Sequence, residues 1–134
     1  ARRRGRDGGM EPIASRIIVL PQSVERVSLR DPRTGFAYFV PPGSIARGEA
    51  LVTTACGACH GPDQTGTGEV PGIAGRPPTY LFRQLNDYKS GARSGPAAQS
   101  KRSVVEKLTV DDMIAIPAYL GSREPMPKPA EPPK

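Results

Sequence analysis

Cys56-Gly57-Ala58-Cys59-His60 holds both cysteines and the one histidine of this 134-residue chain. Two cysteines so close in sequence cannot staple distant parts of a fold, so a disulfide framework is not the organising device. A structural zinc site needs a second pair of ligands, and no other Cys or His exists. A thioredoxin-like redox pair expects a βαβ setting, whereas a short helical stretch and a Gly/Pro loop flank this motif. The spacing C-x-x-C-H is that of covalent haem attachment. Two thiols separated by two residues on one helical turn reach the two vinyl groups along one edge of the ring. The next residue then brings an imidazole under the iron. That imidazole binds as a neutral base, and its second nitrogen needs a fixed acceptor to orient it.

The bulk composition agrees. Aromatic residues make up 5% of the chain, Trp is absent, and there are 16 Pro and 15 Gly. So few large side chains make a thin core for this length, and a large apolar disc would fill it. The net charge is +6. It is concentrated in residues 1–40, where eight Arg face Asp7, Glu11, Glu25 and Asp31. No aromatic residues interleave with Arg2-Arg3-Arg4-Gly5-Arg6 to stack on bases, so nucleic acid is not an expected partner. The longest aliphatic run, Ile17–Leu20, is far short of the ~20 residues of a membrane span. No apolar stretch resembling a signal peptide follows the arginines.

Outward from the motif, the chain divides into four parts. Residues 1–10 read as a disordered basic tail. Residues 11–40 read as an extended arm, in which Ile17–Leu20 and Phe36–Val40 are short strand candidates around the turn Asp31-Pro32-Arg33-Thr34-Gly35. Residues 41–123 form the main domain, and residues 124–134 a Pro-rich tail. Within the domain, a first helix is expected over Ile45–Thr54 with Ser44 as N-cap. Residues 61–79 contain five Gly and four Pro and read as a long structured loop. A second helix fits Pro78–Ser90, with Tyr80, Leu81, Leu85 and Tyr88 at helical spacing and Gly91 as its stop. Residues 92–103 read as irregular. A last helix starts at Thr109 with Asp112 as its capping-box partner, and Pro117 inside it is expected to kink it or loosen one turn.

Across residues 41–123 the chain resembles the class I cytochrome c family, in which a first helix ends in CxxCH, a Pro/Gly loop lies under the haem, and the last helix crosses the first. Gly48 and Tyr119 fit that crossing. The resemblance is sharper with bacterial domains related to two-haem cytochromes. It runs through Val40–Val52, Val70-Pro-Gly-Ile-Ala-Gly-Arg76, Arg83-Gln-Leu85 and Lys107–Met113, and residues 11–40 resemble the segment that precedes the domain in longer relatives. The resemblance implies an all-α fold, three main helices around one covalently bound haem c, with an extended N-terminal arm. It implies that Pro71 offers its carbonyl to His60, that Ile73 packs on the haem face, and that Arg76 and Tyr80 pair with the haem propionates.

The family usually supplies a methionine as second axial ligand before the last helix, where a soft thioether raises the potential. Aligned without gaps, that position is Lys101. Lys101 as a neutral amine, an open or water-bound iron, or Met113 or Met126 reaching in are the alternatives. Met113 lies on an apolar helix face and Met126 in the Pro-rich tail. The function implied is electron transfer, as a carrier or as the cytochrome subunit of a larger respiratory or dehydrogenase complex, rather than catalysis. The partners expected are a redox donor and acceptor, with the basic bias favouring an acidic surface. The alternative is a haem enzyme or small-ligand-binding protein using an open sixth position, and the absence of a second His weakens its peroxidase-like form. Covalent haem implies, by the same resemblance, a periplasmic location or the outer face of the inner membrane.

Overall fold

The computed structural model describes residues 2–4, 10–68 and 70–123. The Pro-rich tail, with Met126, lies outside the described residues, as do most positions of the basic tail. Two short antiparallel pairings open the chain. β1 (Arg2–Arg4) pairs with β2 (Met10–Pro12), so part of the segment expected to be disordered is paired backbone. β3 (Ile18–Pro21) pairs with β4 (Phe36–Phe39), Ile18 opposite Phe39 and Pro21 opposite Phe36. The helix α1 (Val24–Ser28) lies between them, capped by Ser23, whose Oγ accepts from Arg26 N at 3.2 Å. Asp31 makes the return turn, its carboxylate accepting from Arg33 N at 2.9 Å. The arm is tied to the domain ahead of this hairpin. Ile13 is buried, and Ser15 Oγ donates to Asp111 Oδ1 at 2.7 Å.

The domain is built on α2 (Ser44–Ala55), the one-turn α3 (Gly57–His60), α4 (Pro78–Ser90), α5 (Ala98–Val105) and α6 (Val110–Ser122). Ser44 was expected as the N-cap of α2. It is instead the first helical residue, and its Oγ donates back to Pro41 O at 2.7 Å, while Gly43 occupies the cap in a left-handed conformation. A two-residue bridge, β5 (Gly66–Thr67) with β6 (Val70–Pro71), interrupts the loop after the motif. It corrects the expectation that residues 61–79 hold no regular structure. α5 likewise corrects the reading of 92–103 as irregular throughout.

α2 crosses α6 at Gly48. A Cβ there would lie 2.0 Å from the Ala115 carbonyl oxygen and 2.8 Å from Tyr119 Cβ, so only glycine lets the two backbones meet. The core forms where α2, α4, α5 and α6 converge, from Val52, Leu81, Tyr88, Val105, Leu108, Met113, Ile116 and Leu120. α6 begins with the expected capping box. Thr109 Oγ1 accepts from Asp112 N at 3.2 Å, and Asp112 Oδ2 accepts from Thr109 N at 3.0 Å. Arg47 of α2 also donates to Asp112 Oδ1, through Nε at 2.9 Å and Nη2 at 2.6 Å, a charge-assisted fork that locks the start of α6 to α2. Pro117 is buried within α6, which continues past it. Among the described residues no helix is long and apolar enough to cross a membrane.

Candidate haem-attachment site

The motif follows directly from α2. Cys56 N bonds to Val52 O at 3.0 Å, and His60 N returns to Cys56 O at 3.0 Å, so the five residues close one helical turn. Cys56 is half-buried against the core, and Cys59 is exposed. The two cysteines are free thiols. Burial pushes the Cys56 thiol up, partly offset by the nearby Lys101 cation. A nucleophilic redox cysteine needs the opposite shift, which counts against a thioredoxin-like role.

His60 is 4% exposed. Its Nδ1 lies 2.7 Å from Pro71 O, the one hydrogen bond recorded for the ring among the described residues. With Nδ1–H donated to that carbonyl, Nε2 keeps its lone pair. Burial is the main force that lowers the imidazole's pKa, and the Lys101 cation adds to it, while the Pro71 bond acts the other way. The neutral form that a metal requires is therefore favoured.

Pro71 is held in place by a residue the sequence reading did not single out. Gln64 is buried, at 2% exposure, in a left-handed conformation with φ 59° that side-chain-bearing residues seldom adopt. Its backbone carbonyl accepts from both Ile73 N at 2.9 Å and Ala74 N at 3.1 Å. Those bonds clamp the segment that carries Pro71. The side chain donates to Pro62 O at 2.7 Å, and its Oε1 is buried without a partner among the described residues. On either side of this clamp, Thr67 Oγ1 donates to Cys59 O at 2.9 Å, and Gly75 N to Leu120 O at 2.8 Å. The loop is thus tied to both the motif and α6.

The other expected residues fall into two groups. Ile73 is half-buried against the core cluster. Lys101 is half-buried on α5 with its Nζ 5.5 Å from the centre of the Tyr88 ring. Arg76 curls back, Nε donating to Gly72 O at 2.9 Å, and Tyr80 is 46% exposed at the start of α4. Arg76 and Tyr80 make no hydrogen bond to each other among the described residues. Met113 is 4% exposed inside the core of α6, as a packing residue would be. The donor set fits a covalently attached haem: two free thiols on one turn, then an imidazole fixed through one nitrogen with the other available. No cluster of three or more His, Cys, Asp or Glu that would suggest a different metal centre is present among the described residues.

Comparison with known proteins gives the same assignment. The family model for cytochrome c matches residues 45–124. Cytochrome c4 of Azotobacter vinelandii is 33% identical over 106 residues, covering 74% of this chain and 49% of that protein. Cytochrome c-554(548) of Halomonas halodenitrificans is 35% identical over 83 residues, covering 61% of this chain and 99% of that protein. The crystal structure of reduced recombinant cytochrome c4 from Pseudomonas stutzeri superposes with a TM-score of 0.57 at 27% identity, over 62% of this chain and 50% of that one. The chain thus spans about half the length of the cytochrome c4 relatives and nearly all of the shorter one. With more than half of the chain inside the family model, the chain belongs to the cytochrome c family, and its cofactor is one covalently bound haem c.

Proposed function

We propose that this chain transfers single electrons, as a mobile carrier or as the cytochrome subunit of a redox complex, with haem held by thioether bonds to Cys56 and Cys59 and with His60 as its proximal iron ligand. The observation that carries the reading is the His60–Pro71 hydrogen bond of 2.7 Å, made by a buried ring on the same turn as two free thiols. When bound, the haem supplies a one-electron ferric/ferrous couple. The protein supplies rigidity. The His60 ring is fixed through Pro71, Pro71 is clamped by the Gln64 carbonyl, and the Cys59 carbonyl is tied to Thr67. A ligand set that does not move between oxidation states keeps the reorganisation small. Ile73, half-buried against the core cluster, is in this reading the side chain that packs on the haem face. Arg76 and Tyr80 lie near the chain ends of the Pro/Gly loop and α4, and in this reading they bind the propionates, Arg76 through the terminal nitrogens it does not use on Gly72.

The partners are a redox donor and an acceptor with acidic docking surfaces, since residues 41–123, which carry the haem motif, hold nine Lys and Arg against seven Asp and Glu. A periplasmic location follows from covalent haem attachment. The test is expression in a cell able to attach haem, followed by denaturing electrophoresis with haem staining and a potentiometric titration. The expected result is haem that stays with the chain on the gel, and a reversible titration with a slope of one electron. Haem lost on denaturation, or rapid turnover of peroxide with no stable one-electron couple, would rule the reading out.

A further inference from the structure

We infer that Lys101 is the second axial ligand of the iron, its amine binding opposite His60. The inference rests on the haem reading above and adds a metal–ligand contact to it.

The first argument is the place of Lys101 in α5. Along this helix Ala98 is half-buried and packs on the core, Val105 is 2% exposed, and Leu108 follows just beyond at 8%. Positions 99, 100, 102, 103 and 104 are all exposed. Residues 98, 101, 105 and 108 therefore make one inward stripe at helical spacing. Three of the four are apolar, and the fourth is Lys101. A lysine on such a stripe ordinarily carries its amine out to water along the edge or pairs it with a carboxylate. Lys101 is half-buried, and no carboxylate among the described residues pairs with it.

The second argument is what the amine faces. It lies over the Tyr88 ring, which is itself part of the core. Cys56, one of the two thiols assigned to the haem, packs against the same core cluster as Tyr88. Arg93 stacks on the same ring, 4.9 Å from its centre, and opposes a second positive charge beside it. Among the described residues the competing donors lie elsewhere. Lys89 donates to the Leu108 carbonyl, Lys107 is exposed, and Met113 is packed inside α6.

The step is a ligation and involves no electron transfer. The ammonium releases one proton to solvent, and the freed nitrogen lone pair forms the bond to iron.

The test compares the ferric and ferrous spectra of the wild-type holoprotein with those of Lys101→Ala, Lys101→Arg and Lys101→Met. Haem staining and far-ultraviolet circular dichroism check that each variant is folded and loaded. The wild type should be low-spin in both states and resist carbon monoxide, with a ferric near-infrared magnetic circular dichroism band in the position of an imidazole–amine pair. Lys101→Ala and Lys101→Arg should both become high-spin and bind carbon monoxide readily. Arginine keeps the charge but cannot ligate, which separates ligation from an electrostatic role. Lys101→Met should restore the low-spin state at a higher reduction potential, because the thioether favours ferrous iron. A wild type that is high-spin or takes up carbon monoxide at once would overturn the inference, as would a Lys101→Arg protein indistinguishable from wild type. Either result leaves the haem reading standing. A chain that holds no covalent haem would instead remove the reading on which the inference rests.

Discussion

Removing one thiol at a time separates the roles of the two cysteines. Cys56 is half-buried against the core and Cys59 is exposed, yet each supplies one covalent link. A Cys56→Ala or Cys59→Ala chain should keep haem on a denaturing gel through its remaining link, with the pyridine haemochrome band shifted toward that of a haem with one free vinyl group. The double variant should lose all haem on denaturation. At this scale the sequence was highly legible, because attachment chemistry is local: three side chains within five residues determine it. The His60–Pro71 bond was legible only through resemblance, since eleven residues separate its partners. Gln64 was not legible at all. Nothing in its chemistry or spacing marks it, and what makes it matter is a left-handed backbone and a carbonyl that accepts twice. Both belong to the folded loop rather than to the residue type. Its one textual signal is its place inside a Gly/Pro stretch, where a positive φ is expected and a non-glycine residue has to tolerate it.

Helices were legible in proportion to how sharply their ends are punctuated. α4 ends at Gly91, with φ 80°, and α6 begins at a capping box, and both were read with their observed starts or stops. α5 lacks such signals. Its cap position is Ala97 and no side chain caps it, and its exposed residues Gln99, Ser100, Arg102 and Ser103 mask a stripe of only three or four inward positions. The α2–α6 crossing offers two tests. Gly48→Ala places a methyl group 2.0 Å from a backbone oxygen, and a rigid neighbour of this kind cannot give way as a side chain would. The cost should be about 2–4 kcal/mol, read as a fall in the urea midpoint at unchanged slope. Asp112 offers the second. Its carboxyl is held below the usual range, chiefly by the Thr109 N–H and then by Arg47, against the opposing effect of burial. A folded pKa below the unfolded one adds stability that is present above the unfolded value, near pH ~4, and disappears as pH falls through the folded value. Asp112→Asn should therefore be less stable than wild type by about 1–2 kcal/mol at pH 7. In thermal melts the gap should close as pH drops below ~4, where the unfolded chain takes up the proton first and the folded Asp112 follows at lower pH.

At the scale of the whole molecule, the arm and the domain differ in how they are held. The domain is anchored by a continuous core, by the Gly48 crossing and by the Arg47–Asp112 fork. The hairpin from Ile18 to Phe39 has little of this. α1 buries no residue, and Val19, Leu20, Val24, Val27, Leu29, Phe36 and Phe39 are all exposed. A two-stranded hairpin in which no residue is fully buried is marginal by itself in water, and its tie to the domain is made ahead of it, through Ile13 and Ser15. Local opening should thus be far easier in the hairpin than in the helices. Arg26, Arg30 and Arg33 place three exposed trypsin sites within it. Brief digestion of the holoprotein should cut there at least about ten times faster than at the Lys and Arg residues of α2, α4 or α5, because cleavage follows the population of the open form. The cut should leave the haem spectrum and reduction potential unchanged, since none of the residues assigned to the haem lies before Cys56. Cleavage of the helices at a rate equal to that of the hairpin would mean that arm and domain open as one cooperative unit. A spectrum altered by the first cut would mean that the arm helps to set the haem environment, which no contact among the described residues requires.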